Sequence, residues 1–403
     1  MYNGVLLYAL RGHEGEITDI SVDPFNRYLA SASNDPTNQI RIWALEDPYG
    51  INIKVLRGDY NTISVVAFNP STEKKQLLGC DTLGRVCIWN SDNWDENPIV
   101  YQSPEQSEIT TAVWNHNGTK FATAGGSIIS IWTVEEGLIM TLPPPETGTF
   151  IIRNLQWCPY YNGLAAGAHD GSVMYWHCDS PGWQNFENWQ STEIMPRTAN
   201  RVWRDRIEGI CMLHFTSDGN YLVSAQVVDS IISVWCTRTK EKLYEYAAHR
   251  NHVFTLLPHP SNPRLMITAG YDGLVTIFDV VVGKLIRGYM INVQVADGAF
   301  SPSGDNFAFT SLEGTVTFFG IGGEQNYRDT PTSQYFASEG NALVFDSENN
   351  IAMDAVLNVP SSRVPREIGD RLGRVYENMP SICLGPVSYE PEPPISFSEE
   401  DAR

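Results

Sequence analysis

Along Leu243–Val282 the chain alternates short apolar runs with polar groups that break them. The run Leu243–Tyr246 precedes a polar stretch holding His249 and His252. A second run carries Val253, Leu256 and Leu257, then comes the loop HPSNP, the run LMITAG, the group Tyr271-Asp272-Gly273 and the run LVTIFD. Short segments rich in β-branched and aromatic residues, punctuated by Asp-Gly and Pro, predict an antiparallel meander rather than helices. One such sheet has two apolar faces and cannot cover both by itself, so the pattern predicts neighbours of the same kind.

The neighbours are present. Each unit closes on a hydrophobic-aromatic pair: Ile42-Trp43, Ile88-Trp89, Ile131-Trp132, Tyr175-Trp176, Val234-Trp235, Ile277-Phe278 and Phe318-Phe319. The second members are 46, 43, 44, 59, 43 and 41 residues apart. A four-stranded repeat with this spacing is the signature of a WD-repeat β-propeller, and units dense in Gly, Thr and Ile exclude a two-helix repeat. Gly12-His13 opens the first unit, Gly58-Asp59 the second, and His249 or His252 the sixth. A turn carboxylate stands before the closing strand at Asp35, Asp81, Asp170, Asp229 and Asp272, with Glu313 in the seventh unit.

The WD resemblance implies a buried hydrogen-bonded set of His, Ser/Thr, Asp and Trp. His13, Ser31, Asp35 and Trp43 are its members in the first unit, and Asp81, Trp89, Asp170, Trp176 and Asp272 mark the same structural role elsewhere. Recurrence with the repeat period assigns these His–Asp pairs to structure rather than catalysis. The resemblance also implies that Val5–Leu10 supplies the outer strand of the last blade. The expected fold is all-β: a seven-bladed propeller over 1–322, an extension packed on it over 323–388 with a strand pair near Leu343–Phe345 and Ile351–Met353, and a disordered acidic tail over 389–403.

The interval before Trp235 is long because about fifteen residues are inserted within Gln184–Arg204, and Trp183, Phe186, Trp189 and Trp203 lie in or beside that range. These aromatics either meet a partner or pack the loop onto the rim.

Composition narrows the function. The formal net charge is −20, which disfavours nucleic-acid phosphates and suits basic protein segments such as histone tails. Seven cysteines without a C-x-x-C pair suggest neither a zinc site nor a disulfide framework. The chain shows no membrane-length apolar run and no nucleotide, metalloprotease or serine-hydrolase motif. No cofactor, metal or membrane partner is expected, and the reading is non-enzymatic.

His259-Pro260, Pro263-Arg264, Ala269-Gly270, Asp272-Gly273, Lys284-Leu285-Ile286-Arg287, Phe300-Ser301-Pro302 and Phe319-Gly320 form an ordered series, continued by Tyr327, Gln334, Tyr335 and Phe336. The series resembles the bromodomain and WD-repeat family, of the pleckstrin-homology-domain-interacting type. That resemblance implies a scaffold linked to chromatin, transcription regulation and cell shape, located in the nucleus and also the cytoplasm. Such proteins carry a further repeat upstream and acetyl-lysine-reading bromodomains downstream. Neither lies between Met1 and Arg403, so acetyl reading is not implied.

Two surfaces are candidates for binding. WD propellers dock peptides on the face lined by the start of each inner strand and the residue before each turn Asp: here Glu16, Thr18, Asn34, Arg153, His169, His252, Phe254 and Tyr271. Separately, Trp235-Cys236-Thr237-Arg238 resembles the box with which WD substrate receptors dock a cullin-4 ligase adaptor, Arg238 making the contact. The alternative to a chromatin scaffold is therefore a ubiquitin-ligase substrate receptor.

Overall fold

The computed structural model describes residues 10–35, 40–45, 52–56, 61–104, 106–142, 151–160, 163–169, 171–177, 190–195, 210–226, 230–291, 293–320, 335–336, 341–345, 352–360, 368–369 and 375. The fold is a seven-bladed WD-repeat β-propeller, with strands and no helix among the described residues. Six four-stranded antiparallel sheets span 17–56, 63–102, 109–142, 152–195, 210–247 and 253–290, and a three-stranded sheet spans 295–320. They are blades 1 to 7. In blade 6 the strands are Val253–Pro258, Leu265–Gly270, Leu274–Asp279 and Lys284–Met290, in that spatial order.

The pattern of apolar positions follows from place in the blade. Leu265–Gly270 lies between two strands and two covered faces, so nearly every residue is buried and the run is continuously apolar. The outer strand Lys242–Ala247 of blade 5 is covered on one face only and alternates.

The chain divides into two compact units. One holds blades 1 and 2 with the C-terminal segment. Its core joins Ala30, Ala32, Ile40 and Ile42 to Ile63, Val66, Phe68, Leu77 and Trp89. The C-terminal segment contributes Leu343–Phe345, paired antiparallel with Ala352–Asp354 as the sequence predicts, and Val359–Pro360 beyond it. Arg11 donates to the Asn341 carbonyl at 3.0 Å. The other unit holds blades 3 to 7, with a core between each consecutive pair. Each such core buries aromatic and branched side chains worth about 1.5–3 kcal/mol apiece.

Several expectations fall elsewhere. Val5–Ala9 of the closing strand, Asp170, Asp229, and the aromatics Trp183, Phe186, Trp189 and Trp203 lie outside the described residues. The insertion itself contains Gln190–Met195, which pairs with Val173–His177 as the outer strand of blade 4.

Candidate functional site

The buried polar set forms in blade 1. His13 Nδ1 is 2.8 Å from Asp35 Oδ2, and His13 Nε2 is 2.8 Å from Ser31 Oγ. The Trp43 indole N–H donates to the same Ser31 oxygen at 2.8 Å. A carboxylate only accepts, so Nδ1 carries the proton and Nε2 accepts from the serine hydroxyl. The backbone N–H groups of Glu14 and Gly15 and the Ser33 hydroxyl also donate to Asp35. In blade 6, His249 opens the repeat rather than His252. It reaches Asp272 at 3.1 Å and Thr268 Oγ1 at 2.7 Å. Phe278 has no N–H, and the Thr276 hydroxyl, 2.6 Å from Thr268, completes the chain of hydrogen bonds instead. Trp132 donates to Thr123 in blade 3 and Trp235 to Ser224 in blade 5.

Ser31, His13 and Asp35 have the connectivity of a nucleophilic triad, yet Ser31 is buried beneath the indole that donates to it. A substrate cannot reach that oxygen, so the set is a structural clasp. Two carboxylates stand differently from the others. Asp81 is the last residue of the strand Gln76–Asp81, two places before Asp35 and Asp272 in strand register, and it accepts from the backbone N–H groups of Leu83 and Arg85. In blade 7 the turn is capped by Ser311 Oγ, which accepts from the N–H groups of Glu313 and Thr315, while Glu313 is exposed.

The clasp makes stability depend on pH. Burial pushes the His13 pKa below its ordinary value, against the opposing hydrogen bond to Asp35. Burial raises the Asp35 and Asp272 carboxyls, but their hydrogen bonds from His13 and His249 and from backbone N–H groups together hold both below the ordinary value. For a histidine with a lowered folded pKa, the unfolded chain binds the proton more readily. Its contribution is full above about 6.5 and is lost as pH falls below that value. The two aspartates contribute above about 3.8 and lose it as pH falls through their lower folded pKa values. Urea midpoints should therefore be level from pH 8 to 7 and fall on acidification in two steps, the second below pH 4; a midpoint that rises between pH 7 and 5 would contradict this.

The candidate docking positions share a feature repeated in the inner strands. In blade 1, Ile17 pairs with Ser33 and Asp19 with Ala32, so Thr18 is an extra residue: a β-bulge. The same bulge places Ser64, Arg153, Phe254 and Ala296 in their blades. A bulge turns the extra side chain out of the ladder, toward the end of the strand. At that end, the N–H beside the hairpin turn donates to the carbonyl just before the inner strand: Asn34 to Glu16, Thr82 to Thr62, His169 to Ile151, Tyr271 to His252 and Leu312 to Gln294. In these five blades the turn residue is thereby brought beside the start of the inner strand.

In blade 6 these positions hold an aromatic cluster. Phe254 and Tyr271 stack with centroids 4.4 Å apart and planes at 21°, and His252 lies edge-on, 6.2 Å from each. Asn251, before the cluster, is held by its carbonyl, which accepts from Ser230 Oγ at 2.7 Å. In blade 4, Arg153 is exposed and His169 half-buried. In blade 1, Glu16 is exposed, and Asn34 Oδ1 accepts from its backbone N–H at 2.7 Å. Thr18 is committed to structure, its hydroxyl donating to the Ile63 carbonyl of blade 2 at 2.7 Å. Thr62, Ser64 and Thr82 of blade 2, and Gln294, Ala296 and Leu312 of blade 7, occupy corresponding positions that the sequence reading passed over. Leu312 is more than half exposed. The same residue spacing would have found them.

Arg238 is exposed on the closing turn of blade 5, at the opposite strand end from the bulges. It adjoins Cys236, whose thiol burial raises but which N–H and hydroxyl groups of Thr239 and the N–H of Arg238 bring below its ordinary pKa. Two of the residues that carried the family resemblance, His259 and Arg264, prove architectural. His259 Nδ1 accepts from the N–H groups of Ser261 and Asn262, and Arg264 pairs with Asp279 at 2.5 Å. Among the described residues no cluster of His, Cys, Asp and Glu is arranged to hold a metal.

Comparison with known proteins agrees with this architecture. The WD domain, G-beta repeat model matches residues 4–43 and 240–279. The chain is 25% identical to a bromodomain and WD repeat-containing protein of Dictyostelium discoideum, over 91% of this chain and 20% of that protein. It is 26% identical to human WD repeat and SOCS box-containing protein 1, over 44% of this chain and 53% of the relative. It is 23% identical to a periodic tryptophan protein 2 homolog of D. discoideum, over 64% of this chain and 26% of the relative. The chain thus spans from about a fifth to about half of the length of these relatives. It carries WD40 repeats and is similar along most of its length to a bromodomain–WD protein.

Proposed function

We propose that this WD-repeat chain is a non-catalytic interaction scaffold in the nucleus, associated with chromatin and transcription regulation. It docks partner segments at the bulge end of its blades. The observation that carries the docking reading is the convergence of His252, Phe254 and Tyr271 on one half-buried cluster, because aromatic side chains supply much contact area at little entropic expense. The chromatin assignment draws on similarity to the bromodomain–WD protein over most of the chain. Glu16, exposed on blade 1, is where a basic segment such as a histone tail would be met.

The second reading is a cullin-4 substrate receptor, favoured by the exposed Arg238 on the closing turn of blade 5. One experiment separates the two. Tagged wild type, Phe254→Ala/Tyr271→Ala and Arg238→Ala chains are compared for chromatin retention and for co-purification of the ligase adaptor. The scaffold reading expects chromatin retention that falls about tenfold or more in the aromatic double variant, since losing two anchors costs at least ~1.4 kcal/mol, and is unchanged in Arg238→Ala. Adaptor recovered with wild type and lost in Arg238→Ala favours the receptor. Retention unaffected by the aromatic double variant rejects the docking site.

A further inference from the structure

We infer that the bulge ends of blades 4 and 6 recognise a peptide segment combining an aromatic or large apolar residue with an acidic one. The inference rests on the docking reading of the blade 6 cluster and assigns the partner's chemistry there. Net charge alone points the other way, toward basic partners, but charge is felt locally. Exposed charges farther apart than about 8–10 Å are largely screened at physiological salt, so the groups around a site decide what it attracts.

Among the described residues of these two blade ends, the exposed ionisable groups are cationic or neutral. Blade 4 offers Arg153, exposed as the bulge residue, with His169 beside it at the turn. Blade 6 offers Arg250 and His252 next to Phe254 and Tyr271. Acids outnumber bases 47 to 27 in this chain, and Arg27, Lys54, Lys75, Arg85, Lys242 and Arg264 all hold a carboxylate. Arg153 and Arg250 hold none among the described residues, and both are exposed. Asp272, the acid next to Tyr271 in sequence, is turned inward: it accepts from His249, from the Arg250 backbone N–H at 2.8 Å and from the Leu274 N–H at 3.1 Å. The carboxylate that could have neutralised this end is thus consumed by the clasp, leaving the arginine side chains for a ligand.

The aromatic geometry selects the other half of the motif. At 4.4 Å the Phe254 and Tyr271 rings are in contact, so nothing fits between them. They form a platform on which a ring or branched apolar side chain can lie. A lysine or arginine could gain a cation–π contact there, but it would do so near the Arg250 guanidinium of like charge, two residues from His252 in sequence. An Asp or Glu next to the apolar anchor instead meets a guanidinium fork suited to it.

The test is selection of a random-peptide phage library on the immobilised full chain, followed by fluorescence anisotropy of the enriched sequences as synthetic peptides. Enriched peptides should pair an aromatic or large aliphatic residue with Asp or Glu. Affinity should weaken about tenfold in Arg153→Glu/Arg250→Glu and with rising NaCl, as expected for charge complementarity. It should be largely kept in Arg153→Lys/Arg250→Lys, and thermal unfolding of both variants should match wild type, since neither side chain is packed. Enrichment of Lys/Arg-rich peptides that still require Phe254 and Tyr271 overturns the charge assignment and leaves the docking site standing. Absence of enrichment, or peptides indifferent to Phe254→Ala/Tyr271→Ala, overturns the docking site and this inference with it.

Discussion

Asp35→Ala is expected to destabilise the unit of blades 1 and 2 by about 3–5 kcal/mol, read as a lowered urea midpoint. The carboxylate accepts from His13 Nδ1, from the backbone N–H groups of Glu14 and Gly15 and from the Ser33 hydroxyl. Removing it strands several buried donors, each costing roughly 1–3 kcal/mol when left unmade, with partial relief from water entering the turn. Asp35→Asn tells the mechanism. The amide oxygen can keep the backbone donors, but its NH₂ then faces His13, which must carry its proton on Nε2 instead. That proton would point at Ser31 Oγ, which already accepts from Trp43. An intermediate loss of about 2 kcal/mol is expected for Asn. Equal stability of Asn and wild type would show that the histidine tautomer is not fixed by the acid.

Gly270→Ala is expected to cost about 2–4 kcal/mol in the unit of blades 3 to 7 and to abolish binding at the aromatic cluster. A Cβ at this position overlaps the carbonyl oxygen of His252 and lies 3.1 Å from its carbonyl carbon and 3.2 Å from Val253 Cα. These are backbone atoms of the paired strand and cannot rotate away, so the two strands must separate. The Tyr271 N–H bond to the His252 carbonyl, 2.9 Å, spans this point and is broken by the separation. Tyr271 would then leave Phe254. Gly171→Ala is the control: its φ is +84° but no atom lies within 4 Å of the added Cβ. Its expected penalty is only the left-handed backbone strain, about 1–2 kcal/mol, with binding retained. Binding preserved in Gly270→Ala would mean that the strand contact does not position the cluster.

The same comparison shows why parts of the site escaped a linear reading. Glu16, Asn34, His252, Phe254 and Tyr271 could be placed on one strand end from repeat register alone. That register did not reveal that Thr18 is occupied by the Ile63 carbonyl, because the acceptor is 45 residues away in another blade. Nor could it choose between His249 and His252 as the opening histidine. Both flank the turn in sequence, and only His249 is brought to Asp272 and Thr268 together. Asp81 shows the reverse ambiguity. A carboxylate two places early still reaches the turn N–H groups, so its place in the repeat does not by itself fix its partners.

By itself the sequence determined the blade: which runs are strands, where each hairpin turns, and that the unit repeats. These are local properties, set by apolar periodicity and turn chemistry within about forty residues. The tertiary structure decided which polar residues are consumed and which are left for a partner. Asp272 is spent on His249, while Arg153 and Arg250 hold no carboxylate among the described residues. That division depends on bulges and cross-strand pairing, where one extra residue on one strand re-aims a side chain. A count of residues along one strand cannot contain it, because a bulge exists only relative to the strand opposite.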